Sequence, residues 1–143
     1  FLVRDRIDVA MAVGADGVHL NQYDMPYKAA RDILGSDRLI GVTVHSLEEA
    51  LEAQEDGADY ITVSPIFATI TVRNYDVVKP CGVDLLREIR GKVSIPIVAI
   101  GGINLSNARS VIQAGADSIG ALSAVLTSSD VGRTIARFQE MFE

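Results

Sequence analysis

The 143-residue sequence has a single cysteine, no tryptophan and few basic side chains. The one cysteine, Cys81, cannot form an intrachain disulfide, which is typical of a reducing compartment and predicts a cytoplasmic location. The 13 lysines and arginines are outnumbered by 19 aspartates and glutamates, for a net charge of -6, so we expect no nucleic-acid partner. No apolar run approaches the roughly 20 residues of a membrane span, so we expect no membrane partner either.

The tripeptide Gly-Ala-Asp occurs three times, at residues 14–16, 57–59 and 115–117, each time between a helix-like run and a short apolar strand. At such a position the glycine can end a helix with positive φ, and the alanine lets helix and strand pack closely. The aspartate can accept hydrogen bonds from amides at the start of the strand. Strands that alternate with helices form a parallel sheet. The pattern therefore predicts an α/β domain with its chemistry at the carboxyl ends of the strands.

Six strands and six helices are predicted along the chain. The strands are expected at residues 1–3, 17–20, 39–44, 60–64, 95–100 and 118–122. The helices are expected at residues 6–13, 26–34, 46–56, 83–90, 105–114 and 129–142. Ser46 and Glu49 form a capping box that opens the third helix. The irregular stretch 65–82 is too long for a passive connector and is a candidate active-site loop.

Six β/α units are two fewer than the eight of a (β/α)8 TIM barrel. The sequence also begins at Phe1 within a strand-like run. We therefore expect residues 1–143 to form one TIM-barrel domain, from about strand 3 to helix 8, without its first two strands and part of the third. A homo-oligomer could cover the sheet edges that this leaves. A doubly wound sheet is the alternative, but no strand is followed by a Gly-x-Gly-x-x-Gly motif.

The last two predicted strands end in small residues where a TIM barrel usually binds phosphate. Gly101 and Gly102 follow one strand and Ser123 follows the other. Glycines let backbone amides approach an anion closely, although a tight turn would explain them as well. In the long loop, Thr69 and Thr71 project to the same side if the chain is extended, and such a pair can bind a phosphate or a ring substituent.

Two carboxylates follow the first two predicted strands. Asp5 comes directly after the first, and Asp24 lies four residues after the second. Carboxylates at neighbouring strand ends form a site suited to Mg²⁺, which usually takes one or two of them together with phosphate oxygens and water. A helix cap and a turn are the alternative roles.

Eight segments together form a recognisable order of motifs: residues 5–10, 14–20, 22–24, 41–46, 57–60, 65–71, 96–103 and 123–124. Over essentially the whole sequence, this order resembles the thiamine phosphate synthase family. The resemblance implies a (β/α)8 barrel that joins a hydroxymethylpyrimidine diphosphate to a thiazole phosphate and releases pyrophosphate. It also implies Mg²⁺ as the cofactor and these two small molecules as the partners.

The resemblance assigns roles to individual residues. Asp5 and Asp24 would be catalytic ligands of Mg²⁺, and Thr43 would contact the pyrimidine diphosphate. The thiazole phosphate would be bound by Thr69, Thr71, Gly102, Leu122 and Ser123. The further substrate-binding candidates are Arg4, Gln22, Arg73 and Gly101.

The chain departs from the family pattern at three places. Arg4 stands where the family usually has asparagine, and residues 21–24 read Asn-Gln-Tyr-Asp in place of Gly-Gln-Glu-Asp. Val72 stands where the family has a lysine that binds the diphosphate, and Arg73 or Arg4 could supply that charge.

Two other functions stay open from the sequence. The sister family of thiazole tautomerases shares the segment at residues 44–50 and uses a histidine at the position of His45 for proton transfer. A structural hydrogen bond is the alternative role of that histidine. The third possibility is a non-catalytic barrel that binds phosphate.

Overall fold

The computed structural model describes residues 1–69 and 79–143. The strands are β1 Leu2–Arg4, β2 Gly17–Leu20, β3 Leu39–Val44, β4 Tyr60–Val63, β5 Ile97–Ile100 and β6 Ser118–Gly120. The helices are α1 Ile7–Val13, α2 Tyr27–Leu34, α3 Leu47–Glu55, α4 Gly82–Arg90, α5 Ala108–Gln113, α6 Ser123–Leu126 and α7 Val131–Gln139. None of the helices in these two ranges is both long and apolar enough to span a membrane.

The strands form one all-parallel sheet whose spatial order is the order of the chain, from β1 to β6. A doubly wound sheet reverses its strand order part way along, because the chain returns to the middle of the sheet. That alternative is therefore wrong. The observed order is that of a curled, singly wound sheet, which is the arrangement found in (β/α) barrels.

Alternate residues of each strand face the helices. Val18, Leu20 and Ile40 pack in one core cluster with residues of α1 and α2. The corresponding positions of β4 and β5, among them Ile61 and Ile97, pack in a second cluster with residues of α3, α4 and α5. Because side chains alternate along a strand, the residues between these positions face the opposite, inner side of the sheet. The inner side is therefore free of helix packing.

The Gly-Ala-Asp segments behave as predicted at their glycines and alanines. Each alanine is buried, and each glycine has positive φ, with values of +64°, +86° and +103° at Gly14, Gly57 and Gly115. The aspartates differ from the prediction, because they bond to the neighbouring strand and not to the strand that follows them. Asp59 accepts the amide of Ile40 at 2.7 Å, and Asp117 accepts the amide of Ile97 at 2.8 Å. These segments therefore tie adjacent strands together as well as ending helices.

Several predicted boundaries are wrong at the ends of elements. β5 begins at Ile97 and not at residue 95, because side chains hold the preceding segment: Gln54 accepts the amide of Ser94 at 2.7 Å and Arg90 donates to the carbonyl of Ile95 at 3.2 Å. β6 ends at Gly120 and not at residue 122, and the short helix α6, which the sequence analysis did not predict, follows at Ser123. Both α5 and α7 are shorter than predicted.

Candidate active site at the carboxyl ends of the strands

Polar side chains line the inner side of the first four strands. Arg4 lies opposite His19, and Thr43 lies opposite Thr62 in the next pair of strands. His19 joins three strands, because its Nδ1 is hydrogen-bonded to the Tyr60 hydroxyl at 2.8 Å and its Nε2 to the Thr43 hydroxyl at 2.8 Å. No buried side-chain nitrogen or oxygen among the described residues lacks a partner. The inner side is therefore an ordered polar surface.

Gly41 makes this network possible. It lies on β3 between His19 and Tyr60 in the strand register, and a Cβ at this position would overlap the Tyr60 ring. The absence of a side chain lets the ring cross β3 and reach the imidazole. Burial, together with the nearby positive charge of Arg4, lowers the pKa of His19, so the ring is neutral near pH 7. Burial also raises the pKa of Tyr60, which keeps its hydroxyl protonated.

Asp5 and Asp24 line the same groove, between the start of α1 and the loop after β2. Asp5 has φ of +64°, which is uncommon for a residue other than glycine, and its amide donates to the carbonyl of His19 at 3.0 Å. Asp24 accepts two hydrogen bonds from Asn21 on one oxygen, Oδ2, from the amide at 2.6 Å and from Nδ2 at 2.8 Å. These two bonds hold the Asp24 carboxylate in one orientation at the groove.

These two carboxylates fit the ligand requirement of Mg²⁺. Among the residues that the structure describes, no three His, Cys, Asp or Glu side chains group closely enough to hold a metal by themselves. Mg²⁺ does not need such a cage, since it is commonly held by one or two carboxylates and completes its octahedron with water and substrate phosphate. The fixed Oδ2 of Asp24 and the strand-end position of Asp5 suit that kind of open site.

A second groove adjoins the first at the ends of β2 and β3. It is lined by Gln22, Asp24 and Thr43 and by residues of α2 and α3, among them the acidic Glu49 and Glu52. The structure thus brings together three residues that the sequence analysis assigned to metal or substrate binding. Asp24 lines both grooves, which therefore adjoin at this residue.

His45 follows β3 and is held from both sides. Its Nδ1 is hydrogen-bonded to the carbonyl of Ser64, and its amide donates to Glu49 Oε2 at 2.6 Å. Because a carbonyl only accepts, Nδ1 carries the proton of the neutral ring, and Nε2 is left with its lone pair. His45 is thus a structural link between two strand ends that also presents a potential base.

The predicted phosphate-binding residues lie at the ends of β5 and β6. Gly101 and Gly102 have φ of +97° and +65°, and a Cβ on Gly102 would lie 2.6 Å from the carbonyl oxygen of Ala68. The loop after β5 is therefore pressed against the loop after β4. Leu122 and Ser123 follow the adjacent strand β6, and both are exposed.

Thr69 is half-buried in the loop after β4 and follows Ala68, whose carbonyl oxygen lies against Gly102. Two further candidates, Thr71 and Arg73, lie outside the described residues, as does Val72. Arg4 stands at the end of β1, and its charge acts on His19. Of the two arginines considered as substitutes for the family lysine, Arg4 is therefore the one whose position is defined.

The sequence analysis missed two residues of this site, His19 and Tyr60. A signal for them exists in the strand alternation, because each stands next to buried apolar residues that face the helices. On β1 to β4, the positions that alternate with these buried apolar residues include Arg4, His19 and Tyr60, and they form the polar inner side. What the sequence alone does not give is the contact across Gly41, which depends on strand register.

The sequence and the fold both have known relatives. The family model described as thiamine monophosphate synthase matches residues 1–125. A thiamine-phosphate synthase of Chloroflexus aurantiacus is 57% identical over 130 residues, which are 91% of this chain and 59% of that protein. One from Methanosarcina mazei is 51% identical over 138 residues, 96% of this chain and 57% of that protein. The solved structure of a thiamine phosphate pyrophosphorylase from Pyrococcus furiosus matches with a TM-score of 0.89 at 44% identity, over 99% of this chain and 66% of its own.

The chain spans between 57% and 63% of the length of the first curated relatives that it matches. Within that span the match is continuous, since the family model covers all six strands described above. The fold match at 44% identity agrees with the sequence match. The chain therefore belongs to the thiamine monophosphate synthase family.

Proposed function

We propose that this chain forms the larger part of a thiamine phosphate synthase, which joins a hydroxymethylpyrimidine diphosphate to a thiazole phosphate with release of pyrophosphate. The observation that carries the proposal is the groove that Asp5 and Asp24 share at the carboxyl ends of β1 and β2. A diphosphate needs a cation, and two carboxylates at neighbouring strand ends can hold one. Membership of the family supports the same reaction.

The metal would be held by the carboxylates of Asp5 and Asp24. When bound, Mg²⁺ neutralises charge on the diphosphate oxygens and makes pyrophosphate a better leaving group. The chain's own contribution is to orient these carboxylates: Asn21 fixes Asp24 through two hydrogen bonds, and the β1–β2 pairing fixes Asp5 through the carbonyl of His19. Arg4, at the end of β1, adds positive charge beside the same groove.

Catalysis in this site would rest on positioning and electrostatics, with no base required. The bond from the pyrimidine methylene carbon to the diphosphate oxygen breaks, the methylene carbon becomes cationic, and the thiazole nitrogen donates its electron pair to form the new bond. Thr43 and Gln22 would orient the pyrimidine diphosphate. Gly102 and Ser123 would hold the thiazole phosphate so that its nitrogen faces the methylene carbon.

We further propose that strands outside residues 1–143 complete the barrel. Within the described residues, β1 and β6 each pair with one neighbour only, and unpaired parallel edges are exposed to non-native pairing. The relatives are longer than this chain. Intact mass and light scattering of the natural protein test this: a mass of 15.3 kDa in a folded monomer would contradict it, and a homo-oligomer of that mass would show that a second copy covers the edges.

The reaction is tested by incubating the full-length protein with Mg²⁺ and both substrates and by measuring thiamine phosphate and pyrophosphate. Asp5→Asn and Asp24→Asn remove a charge and keep the side-chain shape, and asparagine tolerates the positive φ at position 5. We expect each to lower kcat/KM by roughly 100-fold, a typical cost of losing an electrostatic contact in the transition state. Asp37→Asn, which precedes β3 at the amino ends of the strands, is the matched control. Equal activity of all variants would contradict the metal assignment.

A second candidate function is thiazole tautomerisation, and the observation that favours it is the lone pair on Nε2 of His45. The same incubation, with the thiazole phosphate carboxylate supplied in each tautomeric form, separates the two. A synthase should retain most of its activity in His45→Gln, because leaving-group departure needs no proton shuttle, whereas a tautomerase should lose it. Phosphate binding without either reaction would indicate a non-catalytic barrel.

A further inference from the structure

The loop after β5 is tied together by one side chain, that of Asn107. Its Nδ2 donates to the carbonyl of Gly102 at 3.0 Å, and its Oδ1 accepts the amide of Asn104 at 2.8 Å. Asn107 thus uses both ends of its amide, and the two bonds enclose the segment from residue 102 to residue 107. The side chain is half-buried, and it lies directly before α5.

The bond to Gly102 matters because this residue has no side chain to fix it. Gly102 has φ of +65°, and its Cα is packed so closely on the next loop that an added Cβ would lie 2.6 Å from Ala68 O and 2.8 Å from Phe67 Cβ. A glycine can rotate more freely than any other residue. A peptide group is planar, so fixing the direction of the Gly102 carbonyl also fixes the opposite direction of the Ile103 amide.

We propose that Asn107 is a positioning residue for the phosphate-binding loop. It sets the orientation of the peptide groups around Gly102 before any ligand binds, and so sets the affinity for the phosphate of the thiazole substrate. This rests on the proposed function, which places that phosphate at Gly102 and Ser123. Without Asn107, the loop loses conformational entropy when the ligand binds, and this cost weakens the affinity.

The loop contains its own matched control. Asn104 also makes side-chain hydrogen bonds, accepting the amide of Ser106 at 2.9 Å and its hydroxyl at 2.6 Å, and neither bond reaches Gly102. Asn104→Ala and Asn107→Ala therefore remove the same kind of side chain from the same loop. Asn107→Asp keeps an acceptor for the Asn104 amide and loses the donor to Gly102, but it also adds a negative charge that repels a phosphate, so the uncharged Asn107→Ala carries the test.

The experiment measures steady-state kinetics in the full-length protein, and calorimetric binding of the thiazole phosphate and of the thiazole alcohol that lacks the phosphate. In Asn107→Ala we expect KM and Kd for the thiazole phosphate to rise about tenfold, which is about 1.4 kcal/mol. We expect the KM for the pyrimidine diphosphate and the affinity for the alcohol to change little, and the melting temperature of Asn107→Ala to fall by a few degrees because two hydrogen bonds are lost. Asn104→Ala should bind the phosphate like the wild type.

Three results would overturn the proposal. The first is unchanged phosphate affinity in Asn107→Ala while the wild type binds normally, which leaves the proposed function intact. The second is equal weakening in Asn104→Ala, and the third is equal weakening for the alcohol, since each would indicate general disturbance of the loop. Failure of the wild type to bind thiazole phosphate would refute the proposed function itself, and this inference with it.

Discussion

Alanine at position 41 should disrupt the inner polar network, and the structure indicates by how much. A Cβ on Gly41 would occupy the space of the Tyr60 ring, so the ring must swing away and its hydroxyl must leave His19 Nδ1, which lies at 2.8 Å. Overpacking of this kind costs about 1–3 kcal/mol, and the lost hydrogen bond costs about 1 kcal/mol more. We expect Gly41→Ala to lower the free energy of unfolding by roughly 2–4 kcal/mol.

A double-mutant cycle, followed by urea unfolding, separates this clash from any intrinsic effect of alanine in a strand. In a Tyr60→Ala background the ring is absent, so the added methyl group at position 41 has nothing to displace. The two substitutions should therefore couple by about 1–3 kcal/mol, within the range known for residues in contact. Tyr60→Phe serves as the control for the hydroxyl alone, since it keeps the ring and leaves His19 Nδ1 without that partner.

The reasoning would be refuted if Gly41→Ala cost the same in the presence and in the absence of the Tyr60 ring. It would also be refuted if Gly41→Ala left thiamine phosphate formation and stability unchanged, because the network then would not depend on the space at position 41. Either result would mean that the ring takes another path to His19.

Three further predictions concern single side chains. Burial lowers the pKa of His19 below its usual 6.5. Because the unfolded chain then binds a proton more strongly than the folded chain, the free energy of unfolding should fall as the pH drops below 6.5. Urea unfolding at pH 7.5 and at pH 5 should show a smaller fall in His19→Gln than in the wild type. Asn21→Ala removes one of the two hydrogen bonds to the Asp24 carboxylate and should weaken Mn²⁺ binding by about tenfold. Electron paramagnetic resonance measures that affinity, and an unchanged value would contradict this prediction. Arg90→Ala removes part-buried hydrogen bonds to the carbonyls of Val93 and Ile95, as well as the exposed contact with Asp117, and should cost about 1–2 kcal/mol. The exposed Arg87→Ala should cost less than about 0.5 kcal/mol in the same thermal unfolding assay.

Most of the fold could be predicted from local sequence signals. The glycines of the Gly-Ala-Asp segments have the positive φ that a helix end requires, and Ser46 caps α3 by accepting the amide of Glu49 at 3.1 Å, as the capping box predicts. The error at β6 has a local cause. Residues 121–126 are a short run of small and apolar residues, and such a run fits a strand and a helix about equally well. The strand was therefore predicted two residues too long, and α6 was missed.

The residues of the site could be predicted from the sequence only where they lie shortly after a strand. Asp5 and Asp24 could be placed at one edge because parallel strands end together, and they do line one groove. The bonds of Asp59 to Ile40 and of Asn21 to Asp24 depend on how elements meet in space. Strand register and loop geometry decide those contacts, and a single sequence contains little information on either.

The two sides of the sheet differ in the physical condition that their residues must satisfy. The side that faces the helices is apolar and needs only complementary volume, whereas the inner side of the first four strands buries polar groups such as Thr43 and Thr62. A buried polar group is costly unless it is hydrogen-bonded, so every substitution there must preserve a partner, as the links from His19 to Thr43 and Tyr60 illustrate. Packing alone would favour apolar residues at these positions. The proposed function gives a reason for their polarity, since a polar substrate bound on this side would need hydrogen-bonding partners, and the groove of Asp5 and Asp24 lies at the ends of the same strands.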